Sequence, residues 1–443
     1  MSNELTKGIY RPRRPRSSRL WKLMDRWWRR FISVYDERFQ HKYGNFRKEV
    51  QKNGDEFLKC GILDFGFARI RCDDCGHEYL LAFSCKKKLC PSCTKKRQIA
   101  QGEFLINEVL EQVSHRHVVL SIPKRLRHCF YYKRELLSKL SKIAYESVFE
   151  CLKIAAEERD VYGASVNVIH TWGELLDWHP HIHLLVAWGV FYPDDAYKGV
   201  SNIPIDVIRE VFEHKVFNML LREGAISDDV VENIRSWNHS GFHAWVGPLI
   251  SCLEKKRLEC LGQYQSRGLV AHDRLQIAPG AQETKGELIY DEADDVENSK
   301  VTLIGEKVIK RHGGNKRVWD PLSFLADLTT HIPKHGSKNT LYYGHYSNKK
   351  RGMRKKESNA TDLTILAKSS EENSNLSKSH WARMIKKVFE VDPLECPNCH
   401  QAMRIISCID QGNIIYKILD HLGLLGKDYG SGENPEQSAR APP

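Results

Sequence analysis

Six cysteines crowd residues 59–98, namely Cys60, Cys72, Cys75, Cys85, Cys90 and Cys93, in a stretch otherwise rich in turn residues, lysines and arginines. Its few aliphatic side chains do not make an ordinary core, so a unit of this size needs a staple. Cys72-Asp73-Asp74-Cys75 and Cys90-Pro91-Ser92-Cys93 are separated by fourteen residues, a spacing at which two knuckles converge on one tetrahedral zinc. Gly76 supplies the tight turn after the first pair. Four thiolates leave no open coordination position, so the expected zinc is structural. Cys60 and Cys85 are left over, either as small buried hydrophobes or as ligands of a second or shared site. The thirteen cysteines of the whole chain, odd in number and partly grouped as Cys-x-x-Cys, point to metal and reduced thiols rather than to disulfides.

The remaining composition is that of a folded protein with an anionic partner. At roughly 100–200 residues per domain the chain has room for about two to four domains. Hydrophobic residues at 41% and charged residues at 28% exclude a disordered or fibrous chain. No apolar run approaches the ~18 residues of a membrane span. Arg11, Arg13, Arg14 and Arg16 are followed by no apolar stretch that would serve secretion. A soluble, cytoplasmic protein is therefore expected. Lys+Arg 68 against Asp+Glu 56, a net charge of +12 and a pI near 9.0 favour nucleic acid as the partner.

Along the chain, residues 1–58 form a basic helical arm in which Trp21, Trp27 and Trp28 lie between arginines. This arm is expected either to clamp a phosphate backbone or to lie on another domain. Residues 59–98 are the zinc unit, 99–356 a large α+β domain, 357–379 a polar linker, 380–426 a Cys-x-x-Cys unit and 427–443 a disordered tail. In the large domain, strands are expected near His117–Ile122, Ala164–Trp172, His181–Val190 and 241–247, with helices between the first and second and the third and fourth. The order β-α-β-β-α-β is that of a ferredoxin-like antiparallel sheet flanked by helices.

Two motifs in that domain carry chemistry. His179-Pro180-His181-Ile182-His183 places histidines at alternate positions of a strand, hence on one face, and imidazoles suit a divalent transition metal. Glu174, seven residues before His181, would approach the same ion across a hairpin and extend the choice toward Mg²⁺ or Mn²⁺. Downstream, an apolar helical pattern over 320–346 runs into Tyr342-Tyr343-Gly344-His345-Tyr346. On a helix, Tyr342 and Tyr346 share a face at i, i+4. A phenol with a pKa near 10 attacks poorly at neutral pH, but a metal that polarises a phosphoryl oxygen stabilises the developing charge. The basic run after the tyrosines, with Lys349, Lys350, Arg351 and Arg354, is suited to hold a nucleic-acid backbone, as are Lys86, Lys87, Lys88, Lys95, Lys96 and Arg97 around the cysteines.

These residues resemble a known family. His181-Ile182-His183 is similar to the HUH motif (His, hydrophobic, His) of single-strand DNA nucleases. Its setting from Thr171-Trp172-Gly173-Glu174 to His183, with Tyr342 through Asn348 downstream, resembles the IS91 family of rolling-circle transposases. The cysteine segment from Cys60-Gly61 to Cys93 resembles that family's N-terminal zinc-binding domain. Asp320-Pro321-Leu322 and His331-Ile332-Pro333 resemble the approach to its tyrosines, and Trp381-Ala382-Arg383, Val391-Asp392-Pro393-Leu394 and Cys396-Pro397-Asn398-Cys399 its C-terminal end.

The resemblance implies an HUH nuclease with an RRM-like sheet and a small zinc-ribbon-like domain. It implies His181, His183 and Glu174 as ligands of Mg²⁺ or Mn²⁺, and Tyr342 and Tyr346 as first and second nucleophiles. The activity it implies is nicking and joining of single-stranded DNA at the ends of an insertion sequence through a 5′-phosphotyrosine. Cys399 is followed by His400 where the family pattern leads to Gly, and two cysteines alone do not close a zinc site. Two rivals share parts of the pattern: a rolling-circle replication initiator or relaxase, and a non-catalytic zinc-ribbon regulator in which the histidines and tyrosines only pack.

Overall fold

A computed structural model describes residues 15–278, 299–309, 314–361 and 394–425. The chain divides into two compact units, one made of residues 1–99, 267–334 and 368–443 and the other of 100–266 and 335–367. The expected boundaries differ from this division. Residues 267–334 leave the 99–356 domain for the first unit, and the described part of the expected C-terminal unit belongs to that unit as well. The linker 357–379 beyond residue 361, residues 380–393 with Trp381 and Val391, and the tail from 427 lie outside the described residues. No described helix is long and apolar enough to cross a membrane.

Strands are numbered along the chain. The first unit holds β1 (Phe67–Cys72), β2 (Glu78–Ala82), β9 (Leu275–Ala278), β10 (Lys300–Ile309), β11 (Gly314–Trp319) and β13 (Met403–Ile409). They form two three-stranded sheets, β13-β1-β2 and β11-β10-β9. The basic arm becomes a helix, Arg19–Ser33, capped by the Ser18 side chain and burying Trp21, Trp27, Trp28 and Phe31. Trp28 Nε1 donates to Asp55 at 2.8 Å, and Arg19 and Tyr43 bond to Leu275 O and Asp327 at 2.7 and 2.6 Å. The tryptophans are thus core of their own unit, each such burial contributing about 1.5–3 kcal/mol, and are not a phosphate clamp.

The second unit holds β3 (His115–Ser121), β4 (Ala164–Trp172), β5 (Trp178–Ala187), β6 (Gly189–Phe191), β7 (Tyr197–Gly199), β8 (His243–Val246) and β12 (Thr340–Gly344). Five of them make a sheet of order β12-β4-β5-β3-β8, antiparallel at every pairing. Helix Leu136–Ala156 connects β3 to β4, and helix Ile205–Arg222 lies between β5 and β8. Alternation sorts the strands cleanly. Val118, Leu120, Ile169, Ile182, Leu184 and Val186 join the helices in one core, whereas His117, Val166, His170, His181, His183 and Leu185 face the other way.

The tyrosine segment departs from expectation. The apolar helix stops at Thr330, and Tyr342 and Tyr343 lie on β12, opposite Val166 and Ser165. The chain turns immediately afterwards at Gly344, φ +59°, where an added Cβ would meet the Gly163 carbonyl oxygen at 1.8 Å. Only glycine fits there. Gly344→Ala is expected to destabilise the unit by at least about 2 kcal/mol, from left-handed strain of ~1–2 kcal/mol plus the backbone clash, measured as a shift in denaturant midpoint.

Candidate functional site

The histidine centre is built by the β4–β5 hairpin. His170 stands opposite His181 and Val168 opposite His183, so the three imidazoles project from one face. All three are buried, and their candidate ligand atoms lie within 4.8 Å of one another. Each ring also has a second partner that fixes its orientation. His170 Nε2 bonds to the Gln265 carbonyl at 2.6 Å, His181 Nδ1 to the His179 carbonyl at 2.7 Å, and His183 Nδ1 to His117 Nε2 at 2.9 Å. Metal-binding histidines use this arrangement, one nitrogen oriented by a neighbour and the other offered to the ion. The set therefore fits a divalent transition metal.

Glu174 is not part of the group. The β4–β5 register breaks between His170 and Trp172, and Gly173 N donates to Asp177 O at 2.8 Å, so Glu174 travels with the turn. His170 occupies the third place expected for Glu174. Its signal was its position on the expected strand 164–172, which becomes informative only with the hairpin register. His170→Ala is expected to weaken Mn²⁺ binding 10–100-fold or more and Glu174→Ala to leave it unchanged, as read by calorimetric titration.

Tyr342 lies on the same sheet face as the histidines, packed beside Val166 and Leu185. Gln101 Nε2 donates to its hydroxyl at 3.2 Å, and the Arg351 guanidinium lies 5.0 Å from its ring centroid. Tyr343 points to the opposite face, its ring stacked 5.0 Å from Tyr145 and its hydroxyl donating to Ser141 at 3.2 Å. Tyr346 does not share a helix face with Tyr342. It lies past the turn, fully buried, with its hydroxyl 2.7 Å from His115 Nε2 and accepting from Glu111 N at 3.3 Å. Burial raises the Tyr346 pKa well above the normal phenol value and lowers that of His115 to about 4, so a neutral imidazole lies beside a neutral phenol.

The cysteines assemble into two groups, both in the first unit. Cys60, Cys85, Cys90 and Cys93 form one, and Cys72, Cys75, Cys396 and Cys399 the other. Cys72 ends β1 and Cys75 sits in the turn to β2, whereas Cys90 and Cys93 flank the start of helix Pro91–Phe104. The expected set of Cys72, Cys75, Cys90 and Cys93 is thus divided between two sites. In the first group Cys60 lies 3.6 Å from Cys90 and 3.7 Å from Cys93, and Cys85 3.7 Å from Cys93. Sulfurs bonded at ~2.3 Å to a tetrahedral zinc are about 3.8 Å apart, so this group fits zinc.

The candidate DNA-binding cations have varied surroundings. Lys349 and Lys95 are exposed. Lys87 pairs with Glu56 at 2.8 Å, Arg97 bonds to the Lys86 carbonyl, and Lys88 and Lys96 are half-buried. On helix Asn348–Thr361, Lys350 lies 4.3 Å over the Tyr162 ring and Arg354 pairs with Glu111 at 3.2 Å. Arg351 holds the Tyr346 and Glu108 carbonyls at 3.1 and 3.3 Å. Arg351 and Arg354 thus brace the turn that carries Tyr346.

Known proteins resemble the chain over two segments. Residues 31–122 match the family described as "Transposase zinc-binding domain" and 164–354 the family described as "Putative transposase". The "Putative transposase y4qJ" of Sinorhizobium fredii (strain NBRC 101917 / NGR234) is 24% identical over 360 residues, 75% of this chain and 83% of the relative. The "Transposase for insertion sequence element IS801" of Pseudomonas savastanoi pv. phaseolicola is 31% identical over 160 residues, 36% of this chain and 38% of the relative. No solved structure matches the chain significantly. With a segment similar to the transposase zinc-binding domain followed by a segment similar to the putative transposase family that contains both the histidine strand and Tyr342, the chain is similar to transposases, that of insertion sequence element IS801 among them.

Proposed function

We propose that the protein is an HUH-type transposase that nicks and joins single-stranded DNA at the ends of its insertion sequence by rolling-circle transposition. The observation that carries this reading is the common face of the sheet on which the three-histidine group and Tyr342 both stand. The strand order, with β8-β3-β5-β4 as its ferredoxin-like part, supports the nuclease fold. Mg²⁺ or Mn²⁺ held by His170, His181 and His183 would polarise a non-bridging phosphoryl oxygen.

In this mechanism the Tyr342 hydroxyl oxygen attacks the scissile phosphorus. The bond to the 3′-oxygen breaks, the phenol proton passes to solvent, and the departing 3′-oxygen takes up a proton. A 5′-phosphotyrosine and a free 3′-OH result. One phosphoester replaces another, so rejoining by attack of a 3′-OH on the adduct needs no external energy. Gln101 orients the nucleophile through its hydrogen bond, and Arg351 places positive charge beside the phenol as it becomes a phenolate. Exposed Lys349 and Lys95 are suited to the DNA backbone.

The test is incubation with 3′-labelled single strands from the DNA flanking the element, with and without Mn²⁺ or Mg²⁺. The expected result is metal-dependent transfer of label to the protein, mapped to the Tyr342 peptide. Equal cleavage in EDTA, or cleavage with no covalent adduct, would overturn the proposal.

A further inference from the structure

The second cysteine group joins the two ends of the chain. Cys75 and Cys396 are 321 positions apart in sequence, yet their sulfurs are 3.4 Å apart, and Cys72 and Cys399 are 3.5 Å apart. The transposase zinc-binding match ends at residue 122, so half of this group comes from outside it. We propose that Cys72, Cys75, Cys396 and Cys399 hold a second structural zinc that fastens the C-terminal segment onto the N-terminal sheet.

The backbone around the two pairs is nearly the same. Gly76 N donates to Cys72 O at 3.1 Å and Cys72 N to His77 O at 2.8 Å. In the other pair His400 N donates to Cys396 O at 2.9 Å and Cys396 N to Gln401 O at 2.8 Å. Gly76 has φ +72° and His400 φ +58°. His400 therefore takes the left-handed conformation that the first knuckle gives to glycine, which removes the objection its identity raises in the sequence. Two Cys-x-x-Cys knuckles facing each other make a closed four-sulfur site, and each supplies the pair that the other lacks.

The surroundings bind the same two segments. β13 pairs with β1 in antiparallel register from Phe67↔Ile409 to Cys72↔Met403. Ile70, Cys72, Cys396 and Met403 form a small buried cluster beside the sulfurs. Arg404 pairs with Asp73 at 2.7 Å. Zinc thus closes a loop that contains the whole second unit, and its loss would leave the described C-terminal segment held by the β1–β13 pairing, the Arg404–Asp73 ion pair and apolar contacts such as those of Phe67 with Ile415 and Leu419.

Full-length protein purified under reducing conditions is analysed for zinc, and its cysteines are mapped by alkylation and mass spectrometry. The expected result is two zinc ions per chain, with Cys396 and Cys399 protected at least tenfold relative to exposed Cys408 until a chelator is added. The Cys396→Ser, Cys399→Ser double variant is expected to retain one zinc and to gain amide exchange across 394–425, with 85–93 unchanged. One zinc per chain together with fast alkylation of Cys396 and Cys399 in the folded protein would overturn the proposal, as would a mass loss showing a disulfide. Should the double variant not fold, the wild-type zinc count and alkylation map decide alone. None of these readouts depends on DNA cleavage, so they stand or fall apart from the nuclease reading.

Discussion

His183→Ala is expected to reduce metal-dependent nicking of single-stranded DNA by about 10³-fold or more while leaving most DNA affinity. His183 belongs to the three-imidazole group and lies on a central strand between β4 and β3, so its loss removes a ligand without opening the sheet edge. Polarisation of a phosphoryl oxygen contributes several kcal/mol to the transition state, and ~4 kcal/mol corresponds to roughly 10³ in rate. Binding rests instead on phosphate contacts by lysine and arginine. Nicking rate, single-strand affinity and thermal midpoint are measured on the same preparation. A variant that melts near wild type and still nicks at the wild-type rate would remove the histidine group from the chemistry; equal loss of affinity and rate would make it a DNA-binding element instead.

The legible part of this site was the part written by local periodicity. Alternation fixes the faces of a strand, so His181-Ile182-His183 already placed two histidines side by side. His170 was hidden because its nearness to them depends on which residue it faces across the hairpin, and past the break in register at Trp172 Glu174 falls in the turn, outside the three-imidazole group. The tyrosines misled in another way. A Tyr-x-x-x-Tyr spacing followed by lysines fits a helix, but Gly344 turns the chain between them, with the Gly163 carbonyl against its missing side chain.

The cysteines show the limit of spacing as evidence. Cys72, Cys75, Cys90 and Cys93 satisfy a common zinc pattern, and nothing local says that the pairs belong to different sites. Cys60 and Cys85 complete one pair from the same stretch, but the partners of Cys72 and Cys75 arrive with β13. Only the tertiary pairing of β1 with β13 brings a segment so far along the chain within reach. Residues 267–334 leave the domain to which their sequence position assigns them through other long-range contacts, those with the N-terminal helices such as Arg19–Leu275 O and Tyr43–Asp327.

Tyr342→Phe is expected to abolish the covalent DNA adduct, whereas Tyr346→Phe is expected to keep it at a similar rate. The first substitution removes only the attacking oxygen, since the phenyl ring still packs by Val166 and Leu185 and beneath Arg351. The second removes a hydroxyl that lies wholly inside the protein, bonded to His115 and Glu111 N, with its pKa raised by burial. To attack a phosphate that oxygen would have to leave its pocket and give up both bonds. Its loss should therefore appear in stability, at about 1–3 kcal/mol for the buried groups left without their partner, and not in chemistry. Tyr343, on the opposite face against Tyr145, is expected to be near wild type in nicking when changed to Phe. The three variants are compared by adduct formation on a 3′-labelled strand, by peptide mapping of the adduct, and by denaturant midpoint. Label on a Tyr346 peptide, or loss of strand joining by Tyr346→Phe at unchanged stability, would show that the turn at Gly344 opens during the reaction and that Tyr346 is a second nucleophile. Label confined to Tyr342 would mean that one tyrosine serves both nicking and joining, with transfer to the target made by the free 3′-OH.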